Sequence, residues 1–194
     1  ENAKSCKISY LENITNVRRF QLLPTSINEK NYNNTNPFFV AHNNRKVLYF
    51  ASNRKGGYGG LDIWFSFKNE DGTYSSPINA GPIINSEHDE ITPFYDISRE
   101  LMYYSSNQDL SMGFDIYYSS GFLNKWESSK PYSQINSIYD ETYFSVISDT
   151  VSYFSSSRDN CSDSISCCSD IYVLKKTYSR DDKLKFSQKF ELPI

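Results

Sequence analysis

The sequence predicts an all-β protein assembled from repeated four-stranded antiparallel units. A motif returns three times along the chain, and the composition is rich in Tyr and Phe (16 and 13 residues) but has only two Met. No window shows the 3.6-residue stripe of an amphipathic helix. With 194 residues, 16% of them aromatic, the chain has enough apolar surface for one core, so we expect a single domain over residues 1–194.

The repeat is clearest in an apolar segment that ends in small polar residues. Residues 48–54 read LYFASNR, residues 102–108 read MYYSSNQ and residues 152–158 read SYFSSSR. After each copy come a polar loop and an Asp-Ile-aromatic triplet, which begins at Asp62, Asp115 or Asp170. These aspartates are 53 and 55 residues apart, so the repeating unit is about fifty residues long.

Each unit also carries an Ile-Asn pair followed by an aromatic pair. In chain order these are Ile27-Asn28 with Phe38-Phe39, Ile84-Asn85 with Phe94-Tyr95, and Ile135-Asn136 with Tyr143-Phe144. In the middle unit, alternating apolar and polar residues predict strands at residues 91–96, 101–105, 115–119 and 126–133. We expect about fourteen strands in all. Two sets of equivalent residues should be buried between units: Phe50, Tyr104 and Phe154, and Ile63, Ile116 and Ile171.

Four strands in roughly forty to fifty residues is the period of a β-propeller blade. The sequence therefore predicts a β-propeller-type fold of about three and a half blades. The units are a half-blade at residues 1–30 and blades at residues 31–85, 86–136 and 137–194. The half-blade is assigned from spacing. Asp115, which begins the third predicted strand of its unit, lies 21 residues before Asn136, and Lys7 lies 21 residues before Asn28, so the N-terminal segment matches the third and fourth strands of a blade. Closure needs at least about four blades, so we expect an incomplete propeller, a fragment, or one completed by another copy or a partner.

Residues 49–64, YFASNRKGGYGGLDIW, resemble the WD-like, TolB-type propeller repeat of cell-envelope proteins in Bacteroidota. Residues 84–94 and 167–172 resemble two other pieces of that repeat. The resemblance implies a periplasmic, outer-membrane-associated interaction or scaffold module, associated with type IX secretion or gliding, whose partners are other envelope proteins or a peptide segment.

The chain departs from the family pattern in two ways. The chain has no OmpA-like or tetratricopeptide segment, so peptidoglycan binding is expected only through domains absent from it, and the middle loop, residues 108–113, lacks the arginine and most of the glycines.

Charge and hydropathy exclude several function classes. The 20 basic and 23 acidic residues give a net charge of -3, which is no electrostatic footprint for nucleic acid. The sequence has no run of about 18 apolar residues, so we expect no membrane span. It has no apolar h-region before Cys6, so we expect no signal peptide in this chain. No nucleophile-elbow pattern accompanies His42 or His88, so we expect no enzymatic activity and no cofactor.

The recurring Asp62, Asp115 and Asp170 are interpreted as structural residues, because groups that occur once per unit do not converge on one active site. An aspartate that accepts hydrogen bonds from its own loop fits each copy, with Arg54 and Arg158 as candidate charge partners. Calcium binding is the alternative, since the loops offer several oxygen ligands. The glycine-rich loop at residues 56–60 is not a phosphate cradle, because a strand and not a helix follows it.

For binding, the leading hypothesis is a protein or peptide docked on the loop face or in the central channel. The candidate binding residues come from equivalent loops: Arg54, Lys55, Tyr58, Gln108, Arg158 and Asp159. A carbohydrate-binding, peptidoglycan-binding or glycan-active propeller is the alternative, suggested by the aromatic residues Tyr58, Trp64 and Trp126.

The four cysteines form no zinc-binding pattern, so no metal site is expected from them. In an envelope protein, Cys161 paired with either Cys167 or Cys168 would close the long third loop. Cys6 lies in the N-terminal half-blade: a bridge to Cys167 or Cys168 would indicate a closed ring, whereas a free Cys6 would indicate an incomplete propeller.

Overall fold

The computed structural model describes residues 5–14, 17–109, 113–158 and 169–176, and for residues 10–14 and 17–20 it describes the backbone alone. Across these ranges the chain forms fourteen strands and no helix, so the prediction of an all-β protein is confirmed. Accordingly, the described part of the chain has no helix of the length and apolarity that crossing a membrane requires.

The strands form one hairpin and three antiparallel sheets in chain order. The hairpin consists of β1 (Ser9–Ile14) and β2 (Val17–Leu22). The first sheet contains β3 (Asn34–His42), β4 (Arg45–Ser52), β5 (Asp62–Lys68) and β6 (Ile78–Asn79). The second contains β7 (Glu90–Asp96), β8 (Leu101–Ser106), β9 (Asp115–Phe122), β10 (Lys125–Trp126) and β11 (Lys130–Pro131). In the third, the described strands are β12 (Glu141–Val146), β13 (Val151–Ser156) and β14 (Asp170–Lys175).

The fourth strand of the middle unit differs from the prediction. Instead of one strand over residues 126–133, two short strands pair with different parts of β9: β10 lies opposite Gly121 and Phe122, and β11 opposite Tyr117 and Tyr118. Between them, the Ser119 hydroxyl donates to the carbonyl of Glu127 and so replaces regular backbone pairing. Pro131 in β11 has no N–H to donate, which further limits the strand.

The first and second sheets each bury two opposite faces against their neighbours. One face of the first sheet packs on the hairpin side, in a cluster of Ile8, Leu23, Ile27, Leu48, Phe50 and Trp64. Its other face meets the second sheet through residues that include Tyr49, Ile63, Phe65, Tyr95, Met102 and Tyr104. The far face of the second sheet meets the third through Tyr103, Ile116, Tyr132, Ile135, Phe144 and Phe154. Burial of this apolar surface, at roughly 25 cal/mol per Å², is what holds consecutive sheets together.

The predicted core positions are confirmed with one exception. Phe50, Tyr104 and Phe154 are at most 5% exposed, and Ile63 and Ile116 are fully buried. Ile171 is 76% exposed, so the prediction of its burial is wrong. The physical reason is that Ile171 lies on the far face of the third sheet, where no following sheet packs among the described residues.

A side-chain tie repeated at every unit explains the Ile-Asn pairs. The Asn85 amide accepts from the N–H of Ile63 (2.8 Å) and donates to its carbonyl (2.9 Å), as one strand residue would do to another. Asn136 bonds both backbone groups of Ile116 in the same way, and Asn28 does so to Ile8. The match between Asn28 and its two equivalents supports reading residues 7–30 as the second half of a repeat unit.

Consecutive sheets are also joined by backbone bonds at equivalent places. At the start of β3, β7 and β12, one backbone N–H donates to a carbonyl of the preceding unit. That carbonyl lies just before the hairpin for β3, just before β5 for β7 and just before β9 for β12. These bonds run from Asn34 to Cys6 (3.0 Å), from Glu90 to Leu61 (2.5 Å) and from Glu141 to Phe114 (2.5 Å). As a result, the first strands of consecutive sheets are in contact: β3 with β7, and β7 with β12.

Candidate functional site

The loop residue Arg54 is built into the junction between the hairpin segment and the first sheet. It is 6% exposed, and its guanidinium donates to the Ile27 carbonyl (2.6 Å), the Asn34 side chain (2.8 Å) and the Ser52 hydroxyl (3.1 Å). The guanidinium carbon also lies 4.9 Å from the ring centre of Phe50. Its hydrogen bonds thus go to these groups and not to Asp62, contrary to the predicted charge pairing. A fourth bond, to the Ser26 carbonyl (3.3 Å), also lies within the fold, so Arg54 supports structure.

Arg158 occupies the equivalent place in the third unit. Its guanidinium donates to the Ile135 carbonyl (2.5 Å) and the Ser156 hydroxyl (3.0 Å), and its ion-pair partner is the buried Glu141 (2.9 Å). Gln108, at this place in the middle unit, is exposed. Lys55 and Tyr58 are also exposed, Tyr58 by 52%, and remain accessible to a partner.

Several sequence predictions fall outside the described residues: Asp159 as a binding residue, and the pairing of Cys161 with Cys167 or Cys168. Cys6 is an exposed free thiol. Trp64 and Trp126 are 6% and 8% exposed, so neither offers a ring face to a sugar, and of the three aromatic residues behind the glycan hypothesis Tyr58 alone is exposed.

The repeated aspartates have three different surroundings. Asp62 is buried and accepts hydrogen bonds from the N–H of Tyr58 (2.6 Å), the N–H of Gly59 (3.2 Å) and the amide of Asn79 (2.8 Å). Burial raises its pKa, and these three bonds oppose that rise. Asp170 is exposed. Among the described residues there is no group of three or more His, Cys, Asp or Glu side chains that could hold a metal ion.

Asp115 is buried without a hydrogen-bond partner for its Oδ1 atom within the described residues. The strand residue that corresponds to Asn79 here is Pro131, which has no amide to donate. Burial, together with the nearby charges of Glu141 and Asp109, raises the pKa of Asp115 to about 6.

The raised pKa of Asp115 predicts a pH-dependent stability. Because the folded state holds the proton more tightly than the unfolded chain, this stabilisation is fully present below about pH 4 and is lost as the pH rises through about 6. Asp115→Asn should therefore raise the free energy of unfolding at pH 7.5, on the order of 1–2 kcal/mol after screening by solvent, and flatten the profile between pH 4.5 and 7.5 in urea titrations.

Asp71→Asn is the matched control for this prediction. Bonds from the hydroxyl and N–H of Thr73 lower the pKa of Asp71, so its replacement should give no gain at pH 7.5. Equal pH profiles for wild type and Asp115→Asn would contradict the account.

The strongest candidate binding site lies where the first strands of the three sheets meet. Each of these strands is interrupted at the same position by a bulge, and the bulge residue has a positive φ: 48° at Asn36, 51° at Thr92 and 54° at Tyr143. Asparagine tolerates this conformation, but a β-branched residue such as Thr92 adopts it at a cost of about 1–3 kcal/mol. Strain of this kind is retained where the surroundings impose it, and it is often found at functional sites.

Hydrogen bonds tie the three bulges to one another. The Asn36 amide donates to the Tyr143 hydroxyl (3.0 Å), across 107 residues of chain. The N–H of Tyr143 donates to the Thr92 hydroxyl (3.3 Å), which also bonds the hydroxyl of Ser105 (2.7 Å). Residues from all three sheets are thereby fixed around one point, where the edges of three first strands meet.

A cavity of about 460 Å³ opens at this point, and we call it the axial pocket. It is lined by Thr35, Asn36, Pro37, Phe38, Thr92, Pro93, Phe94, Tyr143, Phe144 and Ser145. The rings of Phe38 and Phe94 are in contact, with centroids 5.0 Å apart, while Tyr143 is 60% exposed. The pocket thus combines aromatic surface with the backbone of three strands that lie at sheet edges, with no further strand paired to them within the described part of the chain.

Sequence reasoning missed the axial pocket because its three key residues are of different types. The aromatic pairs also misled the alignment: by strand register, Phe38 corresponds to Phe94 and to Ser145, so Tyr143 corresponds to Asn36 and Thr92. The available signal was the proline that follows the bulge residue in the first two copies, at Pro37 and Pro93.

A larger groove of about 730 Å³ lies between the hairpin and the first sheet, with Leu22, Phe39, Leu48 and Tyr74 in its lining. It is mainly apolar, although Ser9, Gln21 and Lys68 also line it, and none of its lining residues other than Gly72 has a positive φ. No protein-family model, curated protein or solved structure matches the chain.

Proposed function

We propose that the three sheets are consecutive blades of a β-propeller-type array, and that the chain is a non-enzymatic module that binds a peptide segment of a partner protein in the axial pocket. Contact between successive first strands and the recurrence of the same ties at each junction support the propeller arrangement. The single observation that carries the binding proposal is the convergence of three strained bulges on one aromatic-lined pocket.

The chemistry of the pocket suits an extended peptide. Edge-strand N–H and C=O groups pair with a peptide backbone, and pockets between aromatic rings select its side chains. Tyr143 presents a large exposed ring whose position is set by Asn36, so little conformational freedom is lost when a ligand covers it.

The resemblance of residues 49–64 to envelope propeller repeats supports a location in the periplasm of a bacterium, associated with the outer membrane. An envelope protein of type IX secretion or gliding is the partner class that the resemblance favours. A glycan-binding function is not proposed, because Trp64 and Trp126 are buried.

Selection of peptides tests the binding proposal. A random-peptide phage library is panned on the wild-type protein, and the enriched peptides are measured by fluorescence anisotropy against Tyr143→Ala. We expect a loss of affinity of at least about tenfold, the scale of a buried tyrosine anchor at an interface.

Tyr139→Ala provides the control, because Tyr139 is 40% exposed but does not line the pocket. Its affinities should stay within about twofold of wild type. Failure to enrich any peptide, or peptides that bind Tyr143→Ala as tightly as wild type, would reject the axial pocket as the binding site.

A further inference from the structure

The groove between the hairpin and the first sheet, which we call the hairpin groove, has a buried apolar floor and exposed apolar walls. Among its lining residues, Ile8, Leu23 and Leu48 are at most 7% exposed, whereas Leu22 and Phe39 are 66% and 48% exposed. Its volume of about 730 Å³ lies within the range of small-molecule sites, roughly 300–1,000 Å³. The groove therefore offers accessible apolar surface on the scale of a small ligand.

Two lysines face each other beside the hairpin groove. Lys46 of β4 lies directly opposite Lys68 of β5, so their side chains share one face of the first sheet, and Leu48 lies on that face two residues farther along β4. Lys68 itself lines the groove, and its Nζ atom is 5.9 Å from the ring centre of Tyr74, another lining residue. Both lysines are exposed, and within the described part of the chain neither forms an ion pair.

This pair of like charges is peculiar to the first of the three described sheets. At the same register the other two sheets have different pairs, joined by backbone hydrogen bonds: Gly121 with Glu100 (3.1 Å) and Lys176 with Thr150 (2.8 Å). Like charges directly opposite each other on two strands destabilise a sheet. An anion bound between the two lysines would remove this cost.

The surroundings of the lysine pair are also positively charged. Lys46, Lys68 and Arg45 line a smaller cavity of about 400 Å³, in which Glu70 is the acidic residue. No ion pair joins Glu70 to any of these three basic residues, as far as the chain is described. Three basic residues against one acidic residue leave a net positive charge next to the hairpin groove.

We propose that the hairpin groove binds a fatty acid, whose hydrocarbon chain lies against Leu22, Phe39 and Leu48 and whose carboxylate contacts the ammonium groups of Lys46 and Lys68. Charge-assisted hydrogen bonds from lysine to a carboxylate are about twice as strong as neutral ones. A hydrocarbon chain is favoured over a peptide, because the N–H and C=O groups of a peptide need hydrogen-bond partners that a mainly apolar lining does not supply. This site is separate from the axial pocket, and its ligand goes beyond the peptide-binding function.

Calorimetric titration with decanoate tests the proposal, and decanol, which has a chain of the same length but no charge, serves as the matched ligand. Both are used below the concentrations at which they aggregate. Wild type should bind decanoate at least about tenfold more tightly than decanol. Decanoate should also raise the melting temperature of the wild type, because a ligand that binds the folded state stabilises it.

Three variants locate the site. The double variant Lys46→Gln, Lys68→Gln should lose at least about tenfold in affinity for decanoate, yet without ligand it should melt no lower than wild type, because it lacks the like-charge pair. Leu22→Ser, which changes an exposed wall of the groove, should weaken decanoate binding at least about threefold. Lys125→Gln is the control: Lys125 is an exposed lysine that lines neither cavity, so this variant should bind decanoate like wild type.

Three results would overturn the inference: no saturable binding of decanoate, equal affinity for decanoate and decanol, or unchanged affinity in the double variant. A wild-type dimer in analytical ultracentrifugation that Leu22→Ser dissociates would assign the groove to a second copy of the chain and would also overturn it. Tyr143→Ala should bind decanoate like wild type, so the outcome is independent of whether peptides bind in the axial pocket.

Discussion

Replacement of Ile116 by Ala is expected to lower the free energy of unfolding by about 2–5 kcal/mol, from lost transfer energy plus the cavity left behind. Ile116 is fully buried between the second and third sheets, in a cluster with Tyr103 and Phe144. The cluster also contains the rings of Tyr132 and Phe154, and close packing leaves such surroundings little freedom to collapse into the space. Urea unfolding followed by circular dichroism measures the change.

Ile171→Ala is the matched control, because Ile171 has the same place in the repeat but is 76% exposed. Its substitution should change the free energy of unfolding by less than about 0.5 kcal/mol. Similar losses at Ile116 and Ile171 would show that the third sheet is covered in solution in the same way as the second.

Replacement of Asn85 by Ala is expected to cost about 1–3 kcal/mol, because it leaves the buried N–H of Ile63 without a hydrogen-bond partner. Asn85 is 2% exposed, and its side chain satisfies both the N–H and the carbonyl of Ile63 while also bonding Asn79 (2.8 Å). In the alanine variant the Ile63 carbonyl keeps its bond from the N–H of Ala80 (3.0 Å), whereas the Ile63 N–H loses the acceptor described for it. The change is read from the midpoint and slope of urea unfolding at pH 7.

Asn69→Ala controls for the loss of an asparagine as such. Asn69 lies in an exposed turn, where its side chain bonds the Thr73 hydroxyl (2.8 Å), so its replacement should cost less than about 1 kcal/mol. A cost at Asn85 no larger than that at Asn69 would show that the side-chain tie contributes little to the junction.

The sequence was most informative where the same physical requirement recurs in each unit. Alternation at residues 101–106 predicts a strand because one face of β8 packs on the first sheet and the other on the third. Equivalent residues such as Phe50 and Tyr104 are buried because an aromatic ring fills the same position of each interface between consecutive units. Repetition thus supplied the information that a single strand-length window lacks.

Prediction failed where one copy departs from the others or where different residues meet the same requirement. Asn34 accepts a hydrogen bond from Arg54, and Glu141 accepts one from Arg158. Because one acceptor is an amide and the other a carboxylate, no shared sequence motif marks this interaction. The bulges at Asn36, Thr92 and Tyr143 are imposed by contacts between sheets and are not preferred by Thr or Tyr locally. Tertiary packing, which sequence spacing does not contain, decides these sites.

The two tryptophans of the chain lie at different interfaces, so tryptophan fluorescence can follow these two interfaces separately. Trp64 packs on the hairpin side, where its indole N–H donates to the Ser52 carbonyl (3.1 Å) and the Arg54 guanidinium carbon lies 5.5 Å from its ring centre. Trp126 packs between the first and second sheets and donates to the Ala80 carbonyl (3.0 Å). Trp64 has a cation beside its indole, whereas the contacts described for Trp126 include none. The fluorescence spectra of the two side chains should therefore differ. Single-tryptophan proteins would therefore resolve the order in which the first two interfaces separate, without any introduced label.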